Sequence, residues 1–444
     1  MADQTPSFCR NLVIYEVYVR NHGPHGTFAD IAADLARIRA LGVDVVWLMP
    51  IHPIGQIHRK GALGSPYSIR DYREVNPEYG TMEDLQNLIA DTHRHGMKLI
   101  VDVVFNHTAH DSDLVRDHIG WFHRGADGGP FRAPCGWTDV AGLKHPNPEL
   151  SAYLIDTLLY WARFGVDGFR CDVASLLPKE FWLDARRAVD TACPGLLWIA
   201  ESVNANFVAK QRNSGLPAIS DGELYEAFDI TYDYDIWPIW LAAVAGRVSV
   251  SRYLEMLRFQ DCIYPVNYVK LRCVENHDAA RIVEAAPNRE QALAWTAFSA
   301  FNKGAWLIHA GQESAASHTP SLFDVDRIAW GVYEFQPFLS RLAALKKDPA
   351  QLSGRFVLVS GEPAIQAAWQ FQKQSLYGIF NVRTERDQAE VYLPDGEYED
   401  LLNGGRVAVC GGRLRLPPVA AILRFHHDDG FKPVYADLLD FVPA

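Results

Sequence analysis

The 444-residue sequence has no apolar run of about 18 residues, the length a helix needs to cross a bilayer. Its start, MADQTPSFCRNLVIYEVYVR, lacks the basic opening and apolar core of a secretion signal. No CxxC pair occurs among Cys9, Cys135, Cys171, Cys193, Cys262, Cys273 and Cys410, and no HExxH run occurs anywhere. These absences disfavour a disulfide framework, a zinc cluster and a zinc-protease motif. Free thiols in a reducing, cytoplasmic setting are the expectation. Positive charge is also scarce: 42 Lys and Arg against 54 Asp and Glu give a formal charge of -12. That opposes attraction to nucleic acid or to an anionic membrane. What remains is a globular composition, 48% hydrophobic and 22% charged, in a chain long enough for more than one folding unit.

Short β-rich runs alternate with helical ones. Strands are expected at 12–19, 43–49 and 98–105, within 165–177, and at 196–202, 227–233, 270–278 and 305–311. Helical spacing of apolar residues fills 28–42, 81–96, 148–165, 178–189 and 288–304. Thr81 with Asp84 forms a capping signature at the second of these. Apolar strands separated by helices indicate a parallel sheet covered by helices. Eight such units match an α/β (β/α)8 barrel, with an open doubly wound sheet as the alternative. A Gly-, Pro- and His-rich stretch, 108–148, interrupts the rhythm after the third strand and reads as an inserted subdomain. The barrel is then expected over 1–107 and 149–347. From 348 to 444, short strands with turn punctuation predict an antiparallel C-terminal β-sandwich.

In a parallel barrel the working side chains come from the C-terminal ends of the strands. Strand three ends in Asp102, Asn106 and His107, strand four in Arg170 and Asp172, strand five in Glu201, and strand seven in Glu275-Asn-His277-Asp278. Any one of these residues is more simply a helix cap or a satisfied core residue. Their convergence favours a carboxylate-based active site, because buried carboxylates without compensation are costly. A divalent metal site built from the same residues is the competing reading. Three carboxylates around one pocket suit glycosidic chemistry, with one ionised as nucleophile and a second held protonated as acid. Arg170 shares a strand face with Asp172 and favours its ionised form.

Four motifs in order carry a resemblance: DVVFNH (102–107), GFRCDVA (168–174), WIAES (198–202) and VENHD (274–278). With them the chain resembles the α-amylase family of retaining α-glucoside hydrolases and transglycosylases over essentially its full length. The resemblance implies Asp172 as nucleophile, Glu201 as general acid/base and Asp278 as the third carboxylate, which grips sugar hydroxyls. It also implies His107, His277, Arg170 and Tyr67 as contacts to the reacting sugar, and Asp102 as the motif's supporting aspartate. The chemistry needs no cofactor.

Three departures bear on substrate and metal. Asn106 matches a residue that often binds calcium in the family, yet the position where many members place an aspartate carries Gly142, with Asp139 out of register. Calcium and a plain hydrogen bond from Asn106 to the inserted loop both stay open. The Lys-His pair that often follows the nucleophile in starch-degrading members is replaced by Val173-Ala174-Ser175-Leu176. The chain also begins almost directly at the first strand, which disfavours the N-terminal domain of cyclodextrin-cleaving members. The expected partner is therefore a maltooligosaccharide or related α-glucoside, cleaved at α-1,4 bonds. Transglycosylation and α-1,6, sucrose or trehalose preference are the alternatives. A sugar-binding relative without chemistry is disfavoured by the three intact carboxylates. Trp121, Phe122, Trp137 and Phe207 are candidate sugar-stacking platforms.

Overall fold

The computed structural model describes residues 5–125, 128–131, 137–383 and 386–426. Cys135 and the last part of the expected C-terminal domain, 427–444, lie outside these residues. Eight parallel strands close into a barrel: β1 Val13–Val17, β2 Val45–Leu48, β3 Lys98–Val103, β4 Gly168–Cys171, β5 Leu197–Ala200, β6 Ile230–Tyr232, β7 Lys270–Arg272 and β8 Ala305–His309. Each strand pairs with its sequence neighbours, and β8 returns to β1. The barrel rather than the open sheet is therefore the architecture.

Alternation along each strand sorts the side chains. Ile14, Val45, Trp47, Ile100, Leu197 and Ile199 fill the barrel interior. Val13, Tyr15, Val46, Leu99, Phe169 and Trp198 belong to the core that also takes in the helices. Helices Phe28–Ala40 and Met82–Arg94 both begin with a capping box, Thr27 with Asp30 and Thr81 with Asp84, which satisfies their first free amides. β4 and β5 approach so closely that a Cβ on Gly168 would lie 2.2 Å from the Leu197 carbonyl oxygen. The strand read within 165–177 is shorter than its apolar run. It stops at Cys171, after which Val173 turns left-handed (φ 35°, ψ 45°) into a 3-10 turn, Ala174–Leu176.

The insert carries a small antiparallel ladder, His107–Ala109 against Val140–Gly142, which fastens its two ends together beside the barrel. After a short helix, Pro349–Ser353, the C-terminal region forms eight antiparallel strands: β9 Arg355–Ser360, β10 Ile365–Gln370, β11 Gln374–Phe380, β12 Gln388–Glu390, β13 Gly396–Asp400, β14 Arg406–Cys410, β15 Arg413–Arg415 and β16 Ala420–His426. The expected sandwich takes the form of one continuous sheet, ordered β9-β10-β11-β16-β13-β14-β15-β12. It curls so that Gln366 on β10 donates to the Glu390 carbonyl on β12 at 3.0 Å, over an apolar cluster that includes Val359, Tyr377, Val391 and Leu414. Among the described residues, no helix is long and apolar enough to cross a membrane.

Candidate active site

The site is assembled by strand register. β3 pairs with β4 so that Asp102 lies opposite Arg170, and β4 pairs with β5 so that Cys171 lies opposite Ala200, with Asp172 and Glu201 each one residue further on. Arg170, fully buried, is the hub. Its Nη1 donates to Asp102 Oδ1 at 3.0 Å and to Asp172 Oδ1 at 2.9 Å, while its Nη2 lies 2.8 Å from Glu201 Oε2. Nε donates to the Tyr232 hydroxyl at 3.2 Å, and the guanidinium lies 5.2 Å from the ring centre of Trp47. One cation thus meets three carboxylates inside an aromatic collar.

The strained backbone of Val173 has a visible use. Left-handed φ is costly for a β-branched residue, and here it directs the Val173 N–H onto Glu201 Oε2 at 2.8 Å. A second chain of contacts starts at β1. Glu16, wholly buried, holds His277 Nδ1 in a short hydrogen bond. His277 Nε2 lies 2.8 Å from the Tyr67 hydroxyl and 3.3 Å from Asp278 Oδ2. Tyr67 donates to Asp102 Oδ2 at 3.1 Å, which joins this chain to the Arg170 hub. The Tyr67 and His277 rings are stacked, 5.4 Å between centres.

These groups surround an open pocket of about 230 Å³, lined by Asp172, Val173, Glu201, His277 and Asp278. Tyr67, His107, Trp137 and Asp139 line it as well. The structure therefore brings together every residue named from the sequence as catalytic or sugar-contacting except Arg170 and Asp102, which sit directly beneath and hold the carboxylates. Of the four candidate platforms only Trp137 lines this pocket, tilted against His107 at 5.3 Å. Trp121 and Phe122 are buried in the insert, and Phe207 lies on the helix Ala205–Asn213 away from the pocket lining. Glu16, Trp47, Tyr232 and the Val173 amide escaped sequence reasoning. A lone carboxylate in the apolar run VIYEVYV was the available signal for Glu16.

Burial dominates the proton affinities. It pushes Glu201 up to about 7 and Asp172 up to about 6, with Arg170 pulling against it in both. Asp102, equally desolvated, is raised to about 7. His277 goes the other way from a buried imidazole: Asp278 and Glu16 outweigh desolvation and hold it protonated, at about 9. His107 is kept neutral by burial, at about 4. Asp278, its side chain 45% exposed, faces the open part of the pocket. A buried acid beside an Arg-bound carboxylate is an arrangement for proton donation and nucleophilic attack at one carbon.

Comparison with solved structures gives the family. An alpha-amylase from Lactobacillus plantarum is 40% identical, with TM-score 0.90 over 95% of this chain and 100% of that one. The chain belongs to the α-amylase family. A maltogenic alpha-amylase from Thermotoga neapolitana is 33% identical, with TM-score 0.83 over 94% of this chain and 99% of that one. The sequence model of the alpha amylase catalytic domain matches residues 11–124, and that of the bacterial alpha amylase C-terminal domain matches 357–423. The alpha-1,4-glucan:maltose-1-phosphate maltosyltransferase of Rhodospirillum rubrum is 36% identical over 274 residues, which is 57% of this chain and 37% of that protein.

Asn106 is the residue that the resemblance matches to a calcium position. This residue hydrogen-bonds through Nδ2 to His107 Nδ1 at 3.2 Å, and its carbonyl accepts from the Leu143 amide at 3.0 Å. It lines a small cavity with His123, Gly142, His145 and Gln211, and among the described residues no carboxylate lines that cavity. Asp139, the nearest candidate in sequence, is turned to the catalytic pocket, where Lys60 Nζ lies 2.8 Å from its Oδ1. A hard cation such as calcium takes six to eight oxygen ligands, with carboxylates among them. The imidazoles and amides around Asn106 do not fit it.

Proposed function

We propose that this α-amylase-family enzyme is a retaining hydrolase of α-1,4-glucosidic bonds in short maltooligosaccharides. The observation that carries the reading is the single guanidinium of Arg170, whose two terminal nitrogens reach Asp172 and Glu201 separately. Two carboxylates tethered this way suit the spacing of a covalent mechanism, roughly 5–5.5 Å. In the first step Asp172 attacks the anomeric carbon while protonated Glu201 gives its proton to the glycosidic oxygen. The C–O bond to the leaving sugar breaks, and a β-glycosyl ester forms on Asp172. In the second step Glu201, now ionised, takes a proton from water as the water oxygen displaces Asp172. Two inversions leave the α configuration. Protonated His277, held by Glu16, presents a fixed donor in the pocket, and Asp278 receives sugar hydroxyls.

Transfer to a sugar acceptor is the second reading, favoured by the likeness to the R. rubrum maltosyltransferase. Both readings share the glycosyl-enzyme and differ in what attacks it. A product time course on maltotriose through maltoheptaose, pullulan, cyclodextrin, sucrose and trehalose separates them. Shorter α-anomeric products from the α-1,4 oligosaccharides alone support hydrolysis, and products longer than the substrate support transfer. Inactivity on every α-glucoside overturns both.

A further inference from the structure

Lys60 and Asp139 lie on different segments, the loop after β2 and the insert, yet both line the catalytic pocket and meet at 2.8 Å. Asp139 is 5% exposed in its side chain and Lys60 39%, so the pair runs from the pocket wall out to its rim. The lysine loop is itself pinned to the loop after β8. Leu63 N–H donates to the Phe323 carbonyl at 2.9 Å, and Ala62 N–H donates to Asp324 Oδ1 at 2.8 Å. Gly61 makes this possible: it is left-handed (φ 61°), and a Cβ there would lie 2.6 Å from Phe323 Cβ. The Lys60 ammonium lies 5.9 Å from the centre of the Phe323 ring, which also lines the pocket. Three separate loops therefore meet at one side of the pocket: the ion pair joins the loop after β2 to the insert, and two amide hydrogen bonds join it to the loop after β8. The pocket volume of about 230 Å³ falls below the roughly 300–1,000 Å³ of pockets that hold drug-sized ligands.

We infer that the Lys60–Asp139 pair is a specificity-determining wall that closes the catalytic pocket to extended glucan chains and so favours short oligosaccharides. The inference rests on the α-1,4 hydrolase reading and adds to it the element that sets chain length. Lys60 is not a catalytic residue; it acts by occupying the path of additional glucose units.

The test is the ratio of kcat/KM on maltoheptaose to that on maltotriose. It is measured for the wild type, Lys60→Ala, Asp139→Asn, the double variant and Lys60→Arg. The ratio rises roughly tenfold in Lys60→Ala and in Asp139→Asn, the scale on which one small steric feature of a pocket discriminates between substrates. The double variant goes no further, because both changes open the same wall. Lys60→Arg restores the pair and with it the wild-type ratio. An unchanged ratio in Lys60→Ala with a wild-type melting temperature overturns the inference, as does an equal loss on both substrates. If Lys60→Ala does not fold, the near-isosteric Asp139→Asn decides by the same ratio. A wild type inactive on both sugars overturns the proposed reaction and the wall with it, an outcome distinct from an active enzyme whose ratio does not respond.

Discussion

Two buried charge clusters share the barrel. At the end of β4, Arg170 meets Asp102, Asp172 and Glu201. On β7, Lys270 meets Asp221 and Asp235 at 3.1 Å each, and Arg272 meets Asp233 at 2.7 Å. The ingredients are nearly the same, but the second cluster has two cations for three carboxylates. It also has extra donors: Gln260 Nε2 donates to both Asp233 and Asp235, and the Tyr264 hydroxyl donates to Asp235 at 2.8 Å. Asp235, which meets Lys270, Gln260 and Tyr264 together, is held below the usual carboxylate range despite its burial, whereas burial raises Asp221 and Asp233 as it raises Asp172 and Glu201. In the β7 cluster one carboxylate, Asp235, gathers enough donors to outweigh its burial. At Arg170 no carboxylate does so: burial outweighs the one guanidinium and raises Asp102, Asp172 and Glu201 alike.

The contrast breaks most sharply on substitution. Glu201→Gln should lower kcat roughly 10²–10⁴-fold, the range of a lost general acid, and Asp172→Asn at least as much. Both proteins should melt at or above the wild-type temperature, since a desolvated carboxylate is removed; turnover and calorimetry on the same samples check both halves. Lys270→Met should behave oppositely, costing about 3–5 kcal/mol of stability because Asp221 and Asp235 lose their buried partner. Urea unfolding reads that loss.

A pH series sharpens the comparison further. On the proposed roles, the nucleophile should be lost as pH falls below about 6, where Asp172 takes up a proton, and the acid as it rises above about 7, where Glu201 gives its proton up. kcat/KM should therefore trace a narrow bell on the acid side of neutrality. Stability follows the same groups with opposite signs. The raised carboxylates at Arg170 contribute stability that is fully present below their unfolded values and lost as pH rises through about 6 to 7. Asp235, with its lowered value, contributes stability present above its unfolded value and lost as pH falls through the folded one. Glu201→Gln should thus gain on the wild type most at alkaline pH. The smallest effect expected is that of EDTA, which should leave the melting temperature unchanged, given the nitrogen-rich surroundings of Asn106.

The eight strands were legible because each is a short apolar run bounded by a helix, and period-two alternation put Arg170 and Asp172 on one face. What sequence could not supply was register. Only the β3–β4 pairing sets Asp102 opposite Arg170, and only barrel closure carries Glu16 of β1 to His277 beyond β7. Likewise, the charges of Lys60 and Asp139 are 79 positions apart in the numbering (139 − 60) and meet only because two loops share one rim. The strand end at Cys171 was also hidden, since nothing in the apolar VASLL announces a left-handed valine.

That valine has a consequence for the two oxygens of Glu201. Oε2 accepts from the Val173 amide and lies within ion-pair range of Arg170 Nη2, both at 2.8 Å, so it is the anchored oxygen of the pair. In the proposed mechanism Oε1 would then be the oxygen that carries the transferable proton. Asp172 is divided in the same way: Oδ1 is fastened to Arg170, and Oδ2 would be the attacking atom of the proposed mechanism. Each carboxylate thus has one anchored oxygen, and the backbone twist at Val173 fixes which oxygen of Glu201 that is before any sugar arrives.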